Sequence, residues 1–308
     1  MKKVIAVFLC VIMLSMTVLT GCNLGGWGTR TDADMSKDTS TDTDKSKDTI
    51  TIIEGEETDG DDNTADSGED STPNEDVKPT EGIVYEMSED STYAIVVDYT
   101  GLDADVIIAA KYNGVPVKSI ASNAFHPKNK DVVATVLIPE SVTVIANNAF
   151  HGCKSLTSIK IPDSVTILGD FAFYGCDSLT NVTIGNSVTS IGYSAFSNCV
   201  ALTSVTIGNS ITRIGDLAFS WCISLTDVTL GSDVTDIGYG AFAYCSSLTS
   251  VTIPNSVTNI GDYVFYNSKA LAIINYRGSE AQWSDIFKSS YWDSETGSYT
   301  IIYNYASE

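Results

Sequence analysis

The chain is poor in histidine and in positive charge. Two histidines among 308 residues leave no stock for a histidine-rich metal site. Seventeen Lys and Arg against 39 Asp and Glu give a net charge of -22. That balance excludes nucleic acid as a partner, because gripping phosphate requires bases that displace its counterions. No glycine-rich phosphate loop and no Ser/His/Asp signature stands out, so the reading is of a non-enzymatic protein with no cofactor and no metal. Long apolar runs are missing too. The longest, Val4 to Leu19, falls short of the ~20 residues that span a membrane comfortably.

The acidic excess is unevenly spread. Residues 1–31 carry +3, residues 32–90 carry -17 and residues 91–308 carry -8, which together make the -22. Length alone suggests about two domains; the charge map instead separates a leader, an acidic tract and a body.

Lys2 and Lys3 precede the apolar run, which ends in Leu19-Thr20-Gly21-Cys22. A short basic start and a 16-residue uncharged stretch fit an export signal. The closing four residues resemble the bacterial lipobox. That resemblance implies a signal peptide over 1–21 and a diacylglycerol on Cys22, with palmitate-type chains holding the mature chain on the outer face of the cell membrane. Each buried CH2 contributes ~0.8 kcal/mol to such anchoring. A plain signal peptide or membrane anchor with an incidental cysteine is the blander alternative.

Residues 22–81 then form a linker dominated by Thr, Ser, Asp, Glu and Gly, as in Thr39-Ser40-Thr41-Asp42-Thr43-Asp44. It has too few large apolar residues to offset the entropy of ordering. About 60 such residues average ~40 Å end to end as a coil, and repulsion between carboxylates extends them. Asp59-Gly60-Asp61-Asp62-Asn63 lacks the ligand spacing and closing Glu of an EF-hand, so a solvated tether is the expectation.

The body has a period of 23 residues. Phe150, Phe173, Phe196, Phe219, Phe242 and Phe265 keep that step, as do Cys153, Cys176, Cys199, Cys222 and Cys245. A leucine column from Leu156 to Leu271 and a Val/Ile column from Val165 to Val257 run in the same register. Such self-similarity means stacked coils. Phe125 opens the series one step of 25 earlier, across Pro127-Lys128-Asn129-Lys130. Each coil reads like Leu202-Thr203-Ser204-Val205-Thr206-Ile207, a Gly or Pro turn, a short Val-Thr-x-Ile extension, and a compact turn carrying Ala-Phe. Val205 and Ile207 alternate with Ser204 and Thr206, one face in and one out. Inward side chains worth ~1.5–3 kcal/mol each when buried make a continuous core only if coils stack.

The repeat Ala-Phe-x-x-Cys-x-x-Leu-Thr-x-Val-Thr-Ile-Pro/Gly-x-Ser-Val-Thr-x-Ile-Gly resembles the BspA-like leucine-rich repeats of bacterial surface antigens. Tyr112-Asn113-Gly114-Val115-Pro116-Val117 resembles that family's first coil, and Tyr276-Arg277-Gly278-Ser279-Glu280-Ala281-Gln282-Trp283 its closing cap. The resemblance implies a mainly β repeat solenoid with short turns or helical turns, a surface location and adhesion, matrix proteins being among the family's partners. It carries no catalytic residue over. The fold expectation is a hairpin cap and first coil over 82–127, a leucine-rich-repeat solenoid over 128–276 and a helix/strand cap over 277–308. Ile83-Val84-Tyr85 and Tyr93 to Val97 read as the hairpin. Ser279 and Gln282 read as a capping box, with Trp283, Ile286 and Phe287 closing the last coil and Tyr299 to Tyr305 a terminal strand.

The cysteine column reads as buried thiols. Equivalent atoms in stacked coils sit ~4.8 Å apart with parallel side chains, while a disulfide wants Cβ atoms near ~3.8 Å and converging, and zinc wants four ligands at one point. His126 and His151 follow Ala-Phe pairs in a slot otherwise filled by Tyr174, Ser197, Ser220, Ala243 and Tyr266, so that slot is expected at the surface. A His151–Cys153 nucleophile pair lacks an orienting acid. A rival enzyme reading would draw on Asp285, Tyr291 and Asp293 in the cap.

Two surfaces remain as candidate binding sites for a protein or glycan ligand on a monomeric chain. The strand face presents Ser158 and Lys160, Asn181 and Thr183, Ser204 and Thr206, Asp227 and Thr229, Ser250 and Thr252. Strand propensity and solubility explain such residues without a ligand; an ice-binding threonine ladder is the remote alternative. The turn side carries an aromatic ridge of Tyr174, Tyr193, Trp221, Tyr239, Tyr244, Tyr263 and Tyr266. Exposed Tyr and Trp anchor binding hot spots and stack on sugars; packing on one another is the competing explanation.

Overall fold

The computed structural model describes residues 78–125 and 131–306. The leader, Cys22, nearly all of the acidic linker and His126 lie outside those residues. What is described is a β-solenoid of about nine turns with almost no helix.

Each coil contributes one strand to each of two sheets. The face sheet runs in parallel through Ser158–Ile161, Asn181–Ile184, Ser204–Thr206, Asp227–Thr229, Ser250–Ile253, Ile273–Tyr276 and Thr300–Ile302. Its register follows the 23-residue step: Asn181 faces Ser158 and Ser204, and Asp227 faces Ser250. The back sheet stacks two-residue strands such as Ile167–Leu168, Ser190–Ile191, Arg213–Ile214, Asp236–Ile237 and Asn259–Ile260, with the same register. At its start, Ile83–Met87 and Ala94–Tyr99 form the antiparallel hairpin, which leads through Val115–Ile120 into the parallel run.

Short strands suffice because side chains extend the ladder. In the column just before the face strands, Thr180 donates its hydroxyl to the Thr157 carbonyl at 3.0 Å, and Thr203 donates to Thr180 at 3.1 Å. Before the back strands, Thr212, Thr235 and Thr258 each donate to the threonine carbonyl one coil earlier at 3.1–3.2 Å. Glycine at Gly192 lets the coils approach, since a Cβ there would stand 2.6 Å from the Gly169 carbonyl carbon.

The core is the stack itself. Phe150 through Phe265 are fully buried. Neighbouring rings lie parallel, with centroids 5.0–5.4 Å apart from Phe150 to Phe242. Tyr99 covers the stack at one end, 5.6 Å from Phe125, and Trp292 covers the other, edge-on at 6.1 Å from Phe265.

The closing segment departs from expectation in two respects. The capping box at Ser279 and Gln282 starts a helix over Glu280–Asp285, with Trp283 and Ile286 buried. Phe287 does not join them; it is 67% exposed. Ile286 adopts an extended backbone that ends the helix. Phe287 therefore begins a back-sheet strand beside Asn259, at the outward position of that ladder. The terminal strand is also shorter than read, Thr300–Ile302, and Trp292 rather than Phe287 covers the phenylalanine column.

A Phe196→Ala substitution in mid-stack is expected to cost ~3–5 kcal/mol, the range for emptying a large aromatic site in a core that cannot collapse. Urea unfolding of the variant beside the unaltered chain measures it.

Candidate functional site

The turns build a surface with an unusual backbone. Two residues per coil take positive φ. One column holds Asn148, Phe171, Ser194, Leu217, Gly240 and Tyr263; the other holds Gly152, Gly175, Asn198, Trp221, Tyr244 and Asn267. Glycine and asparagine suit that conformation, whereas a bulky side chain there is a true outlier. Trp221 at φ 63°, Tyr244 at 61° and Tyr263 at 59° are held against local preference, at a cost on the order of 1–3 kcal/mol each.

Those three residues belong to one interlocked patch. Trp221 stacks on Tyr244 with centroids 4.2 Å apart and planes within 10°. Tyr244 meets Tyr266 edge-on at 5.4 Å, and Tyr266 meets Tyr263 at 5.5 Å. Tyr263 contacts Tyr239 edge-on and stacks on Tyr291 at 5.5 Å. Tyr174 and Tyr193 are joined through Phe171 and flanked by His151, which stacks on Tyr174 at 5.1 Å. This second aromatic cluster neighbours the first, since Tyr193 acts electrostatically on the Tyr239 phenol. Tyr193 is 37% exposed, and the other six ridge residues are half-buried by their own packing.

Carboxylates edge the larger patch. Asp216 accepts from the Tyr239 backbone N–H at 3.1 Å, the same turn bond that Asn147 makes to Asp170 at 2.8 Å. Asp262 stands one step further along that column and accepts from the Ser289 hydroxyl. Burial, then the neighbouring Tyr263 and Asp262, push the Tyr239 phenol up to about 12. Arg213 pairs with Asp236 at 2.9 Å and with Asp216 at 3.4 Å.

The strand face is where the alternation put it, with one correction. Ser158, Lys160, Asn181, Thr183, Ser204, Thr206, Asp227 and Thr229 are exposed. Ser250 is half-buried, and Thr252, in register between Thr229 and Asn275, is only 7% exposed. The outward field thus ends one coil earlier than the repeat implied.

The slot of His151 also needs correction. His151 is half-buried, and Ser197, Ser220 and Ala243 in the equivalent position are buried. That slot follows Ala-Phe inside the compact turn, under the second positive-φ column, so small residues there are enclosed.

The five cysteines are buried thiols with no disulfide among the described residues. A further feature was missed from sequence. Each thiol donates to the carbonyl of the phenylalanine one coil back, as Cys199 does to Phe173 and Cys222 to Phe196, both at 3.2 Å. Ser268 continues the column, fully buried, donating to the Phe242 carbonyl at 2.8 Å and accepting from the Cys245 N–H at 3.1 Å. Extending the column one more step would have found it. Among the described residues no three His, Cys, Asp or Glu side chains group to hold a metal. Of the cap residues in the rival reading, Asp293 accepts from the Tyr299 hydroxyl at 2.5 Å, Tyr291 stacks on Tyr263, and Asp285 is exposed.

A family profile described as BspA type leucine rich repeat region matches residues 118–215 and 169–294, in six copies. No curated protein matches the chain. Among solved structures, the leucine-rich-repeat protein TpLRR of T. pallidum is similar at 30% identity and a TM-score of 0.50, over 64% of this chain and 80% of that one. A leucine-rich cell surface protein of Faecalibacterium prausnitzii shares 22% identity over 69% of this chain and 98% of its own, with a TM-score of 0.38. A leucine-rich repeat protein from Eubacterium ventriosum shares 23% identity over 68% of this chain and 51% of its own, with a TM-score of 0.44.

The buried acids set an alkaline limit. Burial pushes the Cys176 and Cys222 thiols well up and Cys245 to about 12. The unfolded chain releases these protons first, from about pH 8.5, so stability is full below that value and falls as pH rises toward 12. Thermal melts between pH 7 and 11 should show a plateau and then a decline. A midpoint rising through pH 9–11 would contradict the burial of the thiols.

Proposed function

The chain belongs to the BspA-type leucine-rich-repeat family, and on that premise we propose that it is a recognition scaffold of the bacterial surface, binding a macromolecular partner in adhesion. The lipobox-like Leu19-Thr20-Gly21-Cys22 supports a lipid anchor on Cys22, with residues 22–81 as the tether that carries the body outward. Repeat architectures of this kind typically serve as binding scaffolds, and we assign this one no catalytic residue.

The binding surface in this proposal is the larger aromatic patch, Trp221, Tyr239, Tyr244, Tyr263 and Tyr266. The observation that carries it is that large aromatics occupy a slot whose backbone conformation suits glycine or asparagine. Asn198 and Asn267 fill the slot of Trp221 and Tyr244 in neighbouring coils, so the fold asks only for a residue that tolerates positive φ. Large aromatics in such a position are what a contact surface needs. The stacked Trp221–Tyr244 pair favours, as a second reading, a glycan ligand, since flat ring faces also take sugars.

The variant Trp221→Asn/Tyr244→Asn should therefore fold as its neighbours do while losing binding at least tenfold. Immobilised matrix proteins against polysaccharide arrays, with the mature chain as analyte, separate the two ligand classes. Binding unchanged by the double substitution overturns the assignment of the ridge. In the native host, Cys22→Ser should shift the protein from the membrane fraction to the soluble one, as read by fractionation and metabolic fatty-acid labelling.

A further inference from the structure

We infer that the ridge takes a cationic peptide segment, one presenting Lys or Arg side chains to the aromatic faces. This deepens the proposal above and rests on the ridge being the binding surface.

Charge sign favours a cationic partner. From Gly215 to Ser268, the stretch that supplies all the larger patch but Tyr291, there are five aspartates and no lysine or arginine. Two cations flank that stretch: Arg213, committed to Asp216 and Asp236, and the exposed Lys269, three residues past Tyr266. Two of the five aspartates, Asp216 and Asp262, occupy the turn column from which Tyr239 also projects. The second cluster repeats the arrangement: Asp170 accepts from the Tyr193 N–H at 2.8 Å. Lys154 near it is paired with Asp177 at 3.5 Å.

Aromatic faces carry negative quadrupole charge and attract a cation within about 6 Å of the ring centroid. Carboxylates on the rim add a like-signed field, which favours cationic partners and repels anionic ones. Phenols held protonated far above neutral pH, as Tyr239 is, keep the ring surfaces uncharged while the rim stays ionised. A neutral sugar would gain hydrogen bonds but no charge attraction from the rim, and an acidic surface would be repelled.

Charge attraction alone does not locate the site, because the acidic tether would also hold a polycation. The test therefore keeps the tether and alters the ridge. The mature chain is titrated in physiological salt against four immobilised versions of one peptide, bearing four spaced lysines, the same lysines trimethylated, the same acetylated, or glutamates. The lysine and trimethyl-lysine forms should bind alike, since trimethylation preserves the charge and the ring contact. Acetylation and glutamate should weaken binding at least tenfold. Trp221→Asn/Tyr244→Asn should bring the lysine peptides down to the acetylated level. Asp216→Asn/Asp262→Asn should weaken them several-fold while sparing the fold, because Asn147 already makes the Asp216 turn bond and an amide oxygen at 262 can still accept from the Ser289 hydroxyl.

Lysine binding that survives the aromatic double substitution assigns the attraction to the tether and overturns the inference. Equal binding of acetylated and free lysine peptides overturns it as well. If the ridge substitutions abolish binding to matrix proteins or polysaccharide but leave the lysine peptides untouched, the ridge reading stands and only the cationic ligand falls.

Discussion

Residue n lies beside residue n+23, and everything else in the body follows from that register. Asn181 beside Ser204, Ser190 beside Arg213 and Phe173 on Phe196 are the same relation read in three columns. A single coil has no interior; its phenylalanine, thiol and leucine become buried only because the next coil covers them. The stack is therefore bound from all sides at once, by backbone ladders, by threonine and cysteine side chains that donate to carbonyls one coil back, and by parallel rings. The covers needed at the two ends, Tyr99 and Trp292, are aromatic because what they must seal is the end of a ring stack.

That arrangement separates what the fold requires from what it permits. Columns with an inward side chain admit little variation: cysteine gives way once, to Ser268, which makes the same bond to the same carbonyl. Columns in the turns admit much more. The slot holding Gly152, Asn198, Trp221 and Tyr244 demands only a tolerated backbone angle, so side chains there are open to selection by a ligand. The aromatic patch is a departure from local preference that stacking between coils can sustain.

Much of the body was legible in the sequence because its period is invariant. The buried columns, the in–out alternation of the face strands and the capping box at Ser279 could each be read by counting. What escaped counting had physical reasons. Phe287 falls at helical spacing from Trp283, but the helix ends at Ile286, and the extended backbone there turns the next side chain outward. The slot of His151 is only partly at the surface, half-burying its rings and enclosing Ser197, Ser220 and Ala243, because residue variety in a slot reports tolerance to size and not exposure. Thr252 looked outward by alternation, yet lies covered near the end of the sheet. The ridge residues were picked out by type; that Trp221, Tyr244 and Tyr263 occupy positions suited to glycine or asparagine is a property of backbone angles, visible only once the columns are compared with φ in hand.

The small glycine column beneath the back strands has a wider consequence. Because Gly192 and its counterparts let each turn seat directly on the preceding backbone, every junction between turns is chemically interchangeable with the next. A tandem duplication or loss of one 23-residue segment would leave both ends and all remaining junctions intact, adding or removing one step of reach. Duplication or loss of coils thus changes the length of the stack one step at a time without redesigning anything in between.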